Sequence, residues 1–317
     1  MVVDTSQFFG LKMDKLSFAT TRYINSLIDY GYYQKKKRRL VRTEVDTNNL
    51  LQSYQNVMAN GIVDFNDSLN HDILFDVRDA YGNSAKLAFT VVSSAVDSSQ
   101  QKISEPQQVN YFDFTKTHKI SEGNISMSFP ANAFYRSFNF NLGIDFTEAL
   151  FSPVYKVHNR FTPVHKAFTI KIKPDSIPGK LKDKLYLAYS NGNGNGHHGF
   201  ISANWDGDYM SARSRSFGNY SIRIDTVVPE IVPVNIGEGK DISGQQTIQV
   251  KIRDRETGIK KYRATLNDRW ILMEYDPKKQ LLIYEYDQRL QNGINQFKLI
   301  VEDMLGNEKV YKTRLNY

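Results

Sequence analysis

The sequence predicts an all-β fold: tandem immunoglobulin-like antiparallel β-sandwiches with one helical insertion near residues 20–39. Three observations carry that expectation. The first is period-two alternation, as where Phe297, Leu299 and Val301 alternate with Lys298 and Glu302, the pattern of a half-buried strand. The second is a repeated hairpin. The Phe297–Val301 strand ends in Asp303-Met304-Leu305-Gly306-Asn307 and is followed by Tyr311, Thr313 and Leu315. Ile73, Phe75 and Val77 likewise run into Asp79-Ala80-Tyr81-Gly82-Asn83, followed by Leu87, Phe89 and Val91. The offset is 224 positions throughout: Val77 to Val301, Asp79 to Asp303, Gly82 to Gly306 and Val91 to Leu315. The third is the spacing of the other alternating runs, every ~10 to 20 residues with Gly, Asn and Pro between them, as in an antiparallel sandwich.

Taken in order, residues 1–18 read as strand material, with Phe8, Phe9, Leu11, Met13, Leu16 and Phe18. From Thr20 the period becomes helical through Tyr23, Ile24, Leu27, Ile28 and Tyr32, with Thr20 or Thr21 as N-cap. Lys35-Lys36-Lys37-Arg38-Arg39 could bind a polyanion, but better suits a solvated helix C-terminus, where cations complement the dipole. Val41–Val45 suggests another strand, residues 48–60 a polar stretch, irregular or helical, and the first Asp-x-x-Gly-Asn hairpin closes a domain over 1–92. A Ser/Gln-rich linker at 93–105 opens the central domain, 93–225. Its strands are marked by Ile125-Met127-Phe129, by Phe138-Phe140-Leu142 and by Phe168-Ile170-Ile172. Leu185-Leu187-Tyr189 and Tyr220-Ile222-Ile224 complete the set. Asp225 to Pro229 leads into the last domain, 226–317, with about seven strands, the immunoglobulin-like number. Matching the two copies predicts that the first sandwich lacks roughly thirty to forty residues of opening strands. It also predicts that Met1 is an internal start, behind which the native protein extends upstream.

At 317 residues there is room for two or three domains with their own cores. The net charge of +7 is mild for this length and gives no reason to expect nucleic acid as a partner. Zero cysteines exclude disulfides, thiolate metal sites and Cys nucleophiles. No run of about 18 apolar residues is present to span a membrane, and Met1 to Thr5 has no signal-peptide character.

Few motifs point to chemistry. The six histidines, His71, His118, His158, His165, His197 and His198, form no His-Glu-x-x-His and suit incidental positions. Asn204, Asp206 and Asp208 offer oxygens at alternating positions, as calcium loops do, but Tyr209 and Arg215 stand where such a loop has Gly and Glu. An Asp-Gly hairpin turn explains them better. Trp205 is a candidate platform for stacking on a sugar ring, against packing in its own hairpin. Asp79, Gly82, Asn83, Asp303, Gly306 and Asn307 are expected to be structural turn residues: Asp caps backbone N–H groups and Gly supplies positive φ. No catalytic residue and no cofactor is expected in the chain.

Lys12 to Phe18, Arg22 to Tyr30, the two Val-x-Asp-x-x-Gly-Asn hairpins, Phe217 to Tyr220 and Asp225 to Pro229 together carry a resemblance. They resemble the C-terminal extension of lysostaphin/LytM-type zinc endopeptidases, the peptidoglycan hydrolases of Bacteroides-like bacteria. In that family His-x-x-x-Asp and His-x-His hold the zinc in an upstream domain, and neither pattern occurs here. The resemblance therefore implies a non-catalytic tail that positions or regulates an upstream zinc peptidase domain in the periplasm or at the cell surface. Its partners would be that domain and peptidoglycan or another envelope glycan. The rival reading is a carbohydrate-binding or adhesion module of the bacterial surface.

Overall fold

The computed structural model describes residues 1–92, 110–147, 150–177, 179–192 and 198–317. It is nearly all β, and its sheets fall into three sets along the chain. The 93–105 linker and residues 193–197 of the Gly/Asn loop, His197 among them, lie outside the described residues.

In the last set the strands are β19 (Glu230–Pro233), β20 (Lys240–Asp241), β21 (Thr247–Arg253), β22 (Ile259–Leu266), β23 (Arg269–Ile271), β24 (Glu274–Asp276), β25 (Leu281–Glu285), β26 (Ile294–Asp303) and β27 (Glu308–Asn316). They form two sheets, β19-β21-β25-β24 and β20-β27-β26-β22-β23. Alternation decides which side chains meet between them. Ile248, Val250, Ile252, Leu282 and Tyr284 come from one sheet, and Ala264, Leu266, Phe297, Leu299, Val301 and Leu315 from the other. Full burial of each large apolar side chain stabilises the sandwich by about 2 kcal/mol. Asn267 and Asp268 turn β22 into β23 with φ of 50° and 60°, the paired positive values of a type I′ hairpin. Nine strands stand where about seven were expected; the extra ones are two- and three-residue pieces too short to show a period.

In the middle set the strands are β7 (Tyr111–Phe112), β8 (His118–Glu122), β9 (Ile125–Phe129), β10 (Phe138–Asn139), β11 (Leu142–Asp145), β12 (Val154–Val157), β13 (Phe168–Ile172), β14 (Leu185–Ser190), β15 (Gly199–Ile201), β16 (Asn204–Asp206), β17 (Tyr209–Ser214) and β18 (Gly218–Ile224). Sheets β11-β12-β18-β14-β15 and β16-β17-β13-β9-β8 enclose a core in which Phe112, Phe129, Phe134, Phe140, Phe168 and Phe217 cluster. The expected Phe138–Leu142 strand is broken. Phe138 pairs with Phe112 whereas Leu142 pairs with Val157, so the chain changes partners at buried Phe140.

The first set is β1 (Val2–Val3), β2 (Ser6–Gln7), β3 (Gly10–Leu11), β4 (Tyr54–Gln55), β5 (Asn70–Arg78) and β6 (Ser84–Val92), with helices α1 (Ile24–Leu27) and α2 (Tyr30–Lys36). Its sheet runs β2-β1-β5-β6, and β3 pairs separately with β4. The repeat holds in three dimensions. Val2 and Val3 pair with Leu74 and Ile73, as Thr265 and Leu266 pair with Lys298 and Phe297. Val2 also faces Gln7 as Thr265 faces Trp270. β3 and β4 then match β24 and β25, and residues 12–53 form one long insertion in that hairpin.

The insertion departs from the expected single helix. A 3-10 turn at Phe18–Tyr23 and α1 are separated from α2 by Ile28, whose extended backbone (ψ 158°) lets its buried side chain and a bridge to Val41 override helical continuation. The side-chain cap is Asp29, whose Oδ1 accepts from Tyr32 N at 2.8 Å. Thr20 and Thr21 are not caps; their hydroxyls donate back to the carbonyls of Ser17 and Phe18. Lys35 and Lys36 do occupy the last turn of α2, and Lys37 ends it in the left-handed conformation. Val41–Val45 makes one bridge and no strand.

Candidate functional site

The repeated turn works alike in both copies. Asp79 Oδ1 accepts from Tyr81 N and Asn83 N, and its Oδ2 from Asn83 Nδ2. Asp303 Oδ1 accepts from Leu305 N and Asn307 N, and its Oδ2 from Asn307 Nδ2. Gly82 and Gly306 sit at φ 86° and 76°, as a Gly-Asn turn requires. The surroundings differ. The Asp79 turn is exposed, whereas Asp303 is fully buried because the last sandwich docks this turn against the end of β18. There Asn307 Nδ2 donates to the Asp225 carbonyl at 3.0 Å, Lys184 Nζ to the Leu305 carbonyl at 2.8 Å, and Tyr186 Oη to Glu256 Oε2 at 2.8 Å.

This junction gathers carboxylates. Asp225, Asp254 and Asp303 each bring one oxygen to within 4.8 Å of the others, the one such His/Cys/Asp/Glu group among the described residues. Asp225 accepts from Thr257 Oγ1 at 2.8 Å and from Val227 N at 3.0 Å. Burial, and then the charges of Asp254 and Asp303, hold its carboxyl above the ordinary Asp value. Asp254 Oδ1 accepts from the backbone N–H groups of Glu256, Thr257 and Gly258. Three convergent oxygens are the donor type a hard cation takes, and these would be the ligands in this chain.

A second junction joins the insertion to the middle sandwich. Asn48 Nδ2 donates to the Phe134 carbonyl at 2.6 Å, Tyr135 Oη to the Arg22 carbonyl at 2.5 Å, and Tyr23 stacks on His165 at 4.5 Å. Beside them two arginines and two carboxylates close a ring. Arg42 reaches Glu44 (2.7 Å) and Asp46 (2.9 Å), and Arg136 of the middle sandwich reaches the other oxygens of Glu44 (3.0 Å) and Asp46 (2.5 Å). Ser26 Oγ donates to Asp46 at 2.5 Å, and Asp46 is buried. A cleft of about 500 Å³ opens over this ring, lined also by Tyr30, Phe138 and Phe161. Each carboxylate is held by two guanidinium groups, so the ring fastens two units together.

The residues singled out in the sequence are not brought together. Asp206 is ion-paired with Lys171 (2.5 Å) and Asp208 with Lys173 (2.9 Å), while Asn204 pairs with Ser211 in the ladder. The carboxylates of the calcium-like run thus lie on lysines of β13 and the residue after it, one strand beyond the Asp-Gly hairpin that β16 makes with β17. Trp205 packs on the core with the Lys182 ammonium 4.4 Å from its ring centre, so a side chain already covers a face a sugar would need. His118 stacks on Phe112, His158 is drawn down to about 4 by burial, and His165 is lowered by burial and then by nearby cations. His71 lies between Asp4 (3.0 Å) and Asp67 (2.9 Å). Among the residues missed in sequence, Arg42, Glu44 and Asp46 are near neighbours in the chain, but Arg136, which closes the ring, stands about 90 positions away and leaves no spacing signal.

Residues 109–225 match the family model described as a Zu5-like domain. No curated protein matches the chain. Among solved structures, the fibronectin(III)-like modules of Clostridium thermocellum CbhA are similar at 12% identity over 48% of this chain and 85% of that one, with a TM-score of 0.23. The protocadherin GammaB4 extracellular domain is similar at 9% identity over 84% of this chain and 45% of that one, again with a TM-score of 0.23. The stretch similar to the Zu5-like model ends at Asp225, the residue on which the junction between the middle and last sandwiches is built.

Proposed function

We propose that the chain is a non-catalytic positioning arm of a cell-envelope murein metalloendopeptidase, holding or regulating an upstream zinc peptidase domain. The supporting observation is that both connections along the array are specific and polar. The Arg42–Glu44–Asp46–Arg136 ring fastens the insertion to the middle sandwich, and the Asn307–Asp225 and Tyr186–Glu256 bonds fasten the middle sandwich to the last. Paired, partly desolvated charges and buried hydrogen bonds fix orientation, which a spacer between working parts requires and a flexible tether does not supply. Zinc belongs, in this reading, to the upstream domain, and the setting is periplasmic or at the cell surface. The chain incubated with purified peptidoglycan and zinc is expected to release no soluble peptide. Release abolished by a chelator would overturn the reading.

A carbohydrate-binding or adhesion module is the second reading, favoured by the cleft with Tyr30 beside planar polar groups. Cosedimentation with peptidoglycan, weakened at least tenfold by Tyr30→Ala and unchanged by Trp205→Ala, would establish glycan binding through this cleft, which the first reading does not require.

A further inference from the structure

In the last sandwich the sheet β20-β27-β26-β22-β23 turns one face to the core and the other outward. One row of side chains crosses four strands on that outward face. Trp270 stands opposite Thr265, Thr265 opposite Lys298, and Lys298 opposite Lys312. Two ammonium groups directly opposite on neighbouring strands repel, and neither meets a carboxylate among the described residues. Elsewhere on this sheet such charges are matched: Lys260 and Lys261 pair with Glu302, and Arg314 pairs with Glu238 at 2.6 Å. Thr265 Oγ1 is shut off from water and has no hydrogen-bond partner among the described residues. Both features cost stability and do nothing for the core. Trp270 is 47% exposed and, unlike Trp205, has no cation over its ring among the described residues. A groove of about 410 Å³ opens over Thr265, Lys298 and Lys312, with Asp268, Gln296 and Arg314 at its sides.

We propose that this groove binds a saccharide chain bearing carboxylates, of the uronic-acid type. A carboxylate between Lys298 and Lys312 replaces their repulsion with two charge-assisted hydrogen bonds. Drawing Lys298 toward it opens Thr265 Oγ1 to a ring hydroxyl, and Asp268 and Gln296 accept from others. The C–H face of a neighbouring sugar lies on Trp270, whose broad apolar ring suits it. Trp270 and Lys298 are two strand spacings apart, about 10 Å, so the stacked ring and the acidic ring are different units of the chain. The carboxylates decide against a nucleic acid. Asp268 and Glu238 beside the lysines repel a chain with a phosphate at every unit, whereas a hydroxyl-rich ligand gives Asp268 donors. The groove belongs to the last sandwich and is separate from the Tyr30 cleft, so the proposal rests on neither functional reading above.

The test titrates the full chain with tetragalacturonate in a calorimeter, beside the neutral cellotetraose and an oligothymidylate. Saturable binding of tetragalacturonate is expected, with cellotetraose weaker by about tenfold or more. Trp270→Ala, Lys298→Gln and Lys312→Gln should each weaken it by about tenfold or more, and Tyr30→Ala should leave it unchanged. Removing either lysine relieves a like-charge contact, so the melting temperature of those two variants should hold or rise while binding falls. Loss of fold cannot imitate that pair of results. Absence of saturable binding, equal affinity for cellotetraose, or full affinity in Trp270→Ala would overturn the proposal. So would tighter binding of the oligothymidylate, since the face would then take a nucleic acid.

Discussion

Asp303 and Asp79 receive the same hydrogen bonds and differ in what surrounds them, which separates their expected contributions. With Asp303→Ala, Leu305 N, Asn307 N and Asn307 Nδ2 lose their acceptor in a buried junction, at a cost of about 2 kcal/mol. Asp79→Ala leaves donors that water reaches, and costs much less. A Cβ added at Gly306 meets no atom within 4 Å, so the cost of Gly306→Val, roughly 1–2 kcal/mol, is set chiefly by the backbone strain of a β-branched residue at φ 76°. Thermal unfolding should order the variants with Asp303→Ala and Gly306→Val well below Asp79→Ala. Equal melting temperatures for both aspartate variants would refute this. His71 makes a pH-dependent contribution. Its hydrogen bonds to Asp4 and Asp67 raise its pKa above the ordinary value, because only the imidazolium donates from both nitrogens. That stability is fully present below the unfolded value near 6.5 and is lost as pH rises through the folded one. Amide exchange in β1 and β5, corrected for intrinsic rates, should speed up relative to β26 on going from pH 6 to 8. His71→Gln should flatten the trend.

The insertion in the β3–β4 hairpin is held by few apolar anchors, with Leu27, Ile28 and Leu51 buried, and its remaining attachment is polar. Asp46 is therefore the side chain whose removal should free it. Asp46→Ala leaves Arg42 and Arg136 short of a partner and Ser26 Oγ without an acceptor, at a cost of roughly 2–3 kcal/mol once the half-exposure of Arg136 is allowed for. Exchange should accelerate across 12–53 while β26 and β27 keep their protection. Glu44→Gln, exposed to water on one side, should cost less than half as much. Similar losses from both variants would mean that burial of Asp46 is not what secures the insertion.

At the scale of the molecule, stability is expected to rise along the chain. The last two sets enclose sandwich cores, whereas the first has few fully buried apolar side chains and a bare sheet face. Limited proteolysis should cut first within 1–92 and last within 226–317, and resistance of all three regions alike would contradict that order. The sequence by itself determined the strands whose alternation is long, such as β9, β13, β14, β18 and β26, because a period of two reports burial wherever one face is covered. It also determined both Asp-x-x-Gly-Asn turns, because a turn is local and its chemistry sits within five residues. Helix continuity through Ile28, the partner change at Phe140 and the two- and three-residue strands needed the tertiary structure, since a distant partner overrides local preference in each. The same holds for function-bearing groups. Arg136 meets Asp46, and Asp225 meets Asp254 and Asp303, only because separate sandwiches dock, and no spacing along the chain records which of their ends face one another.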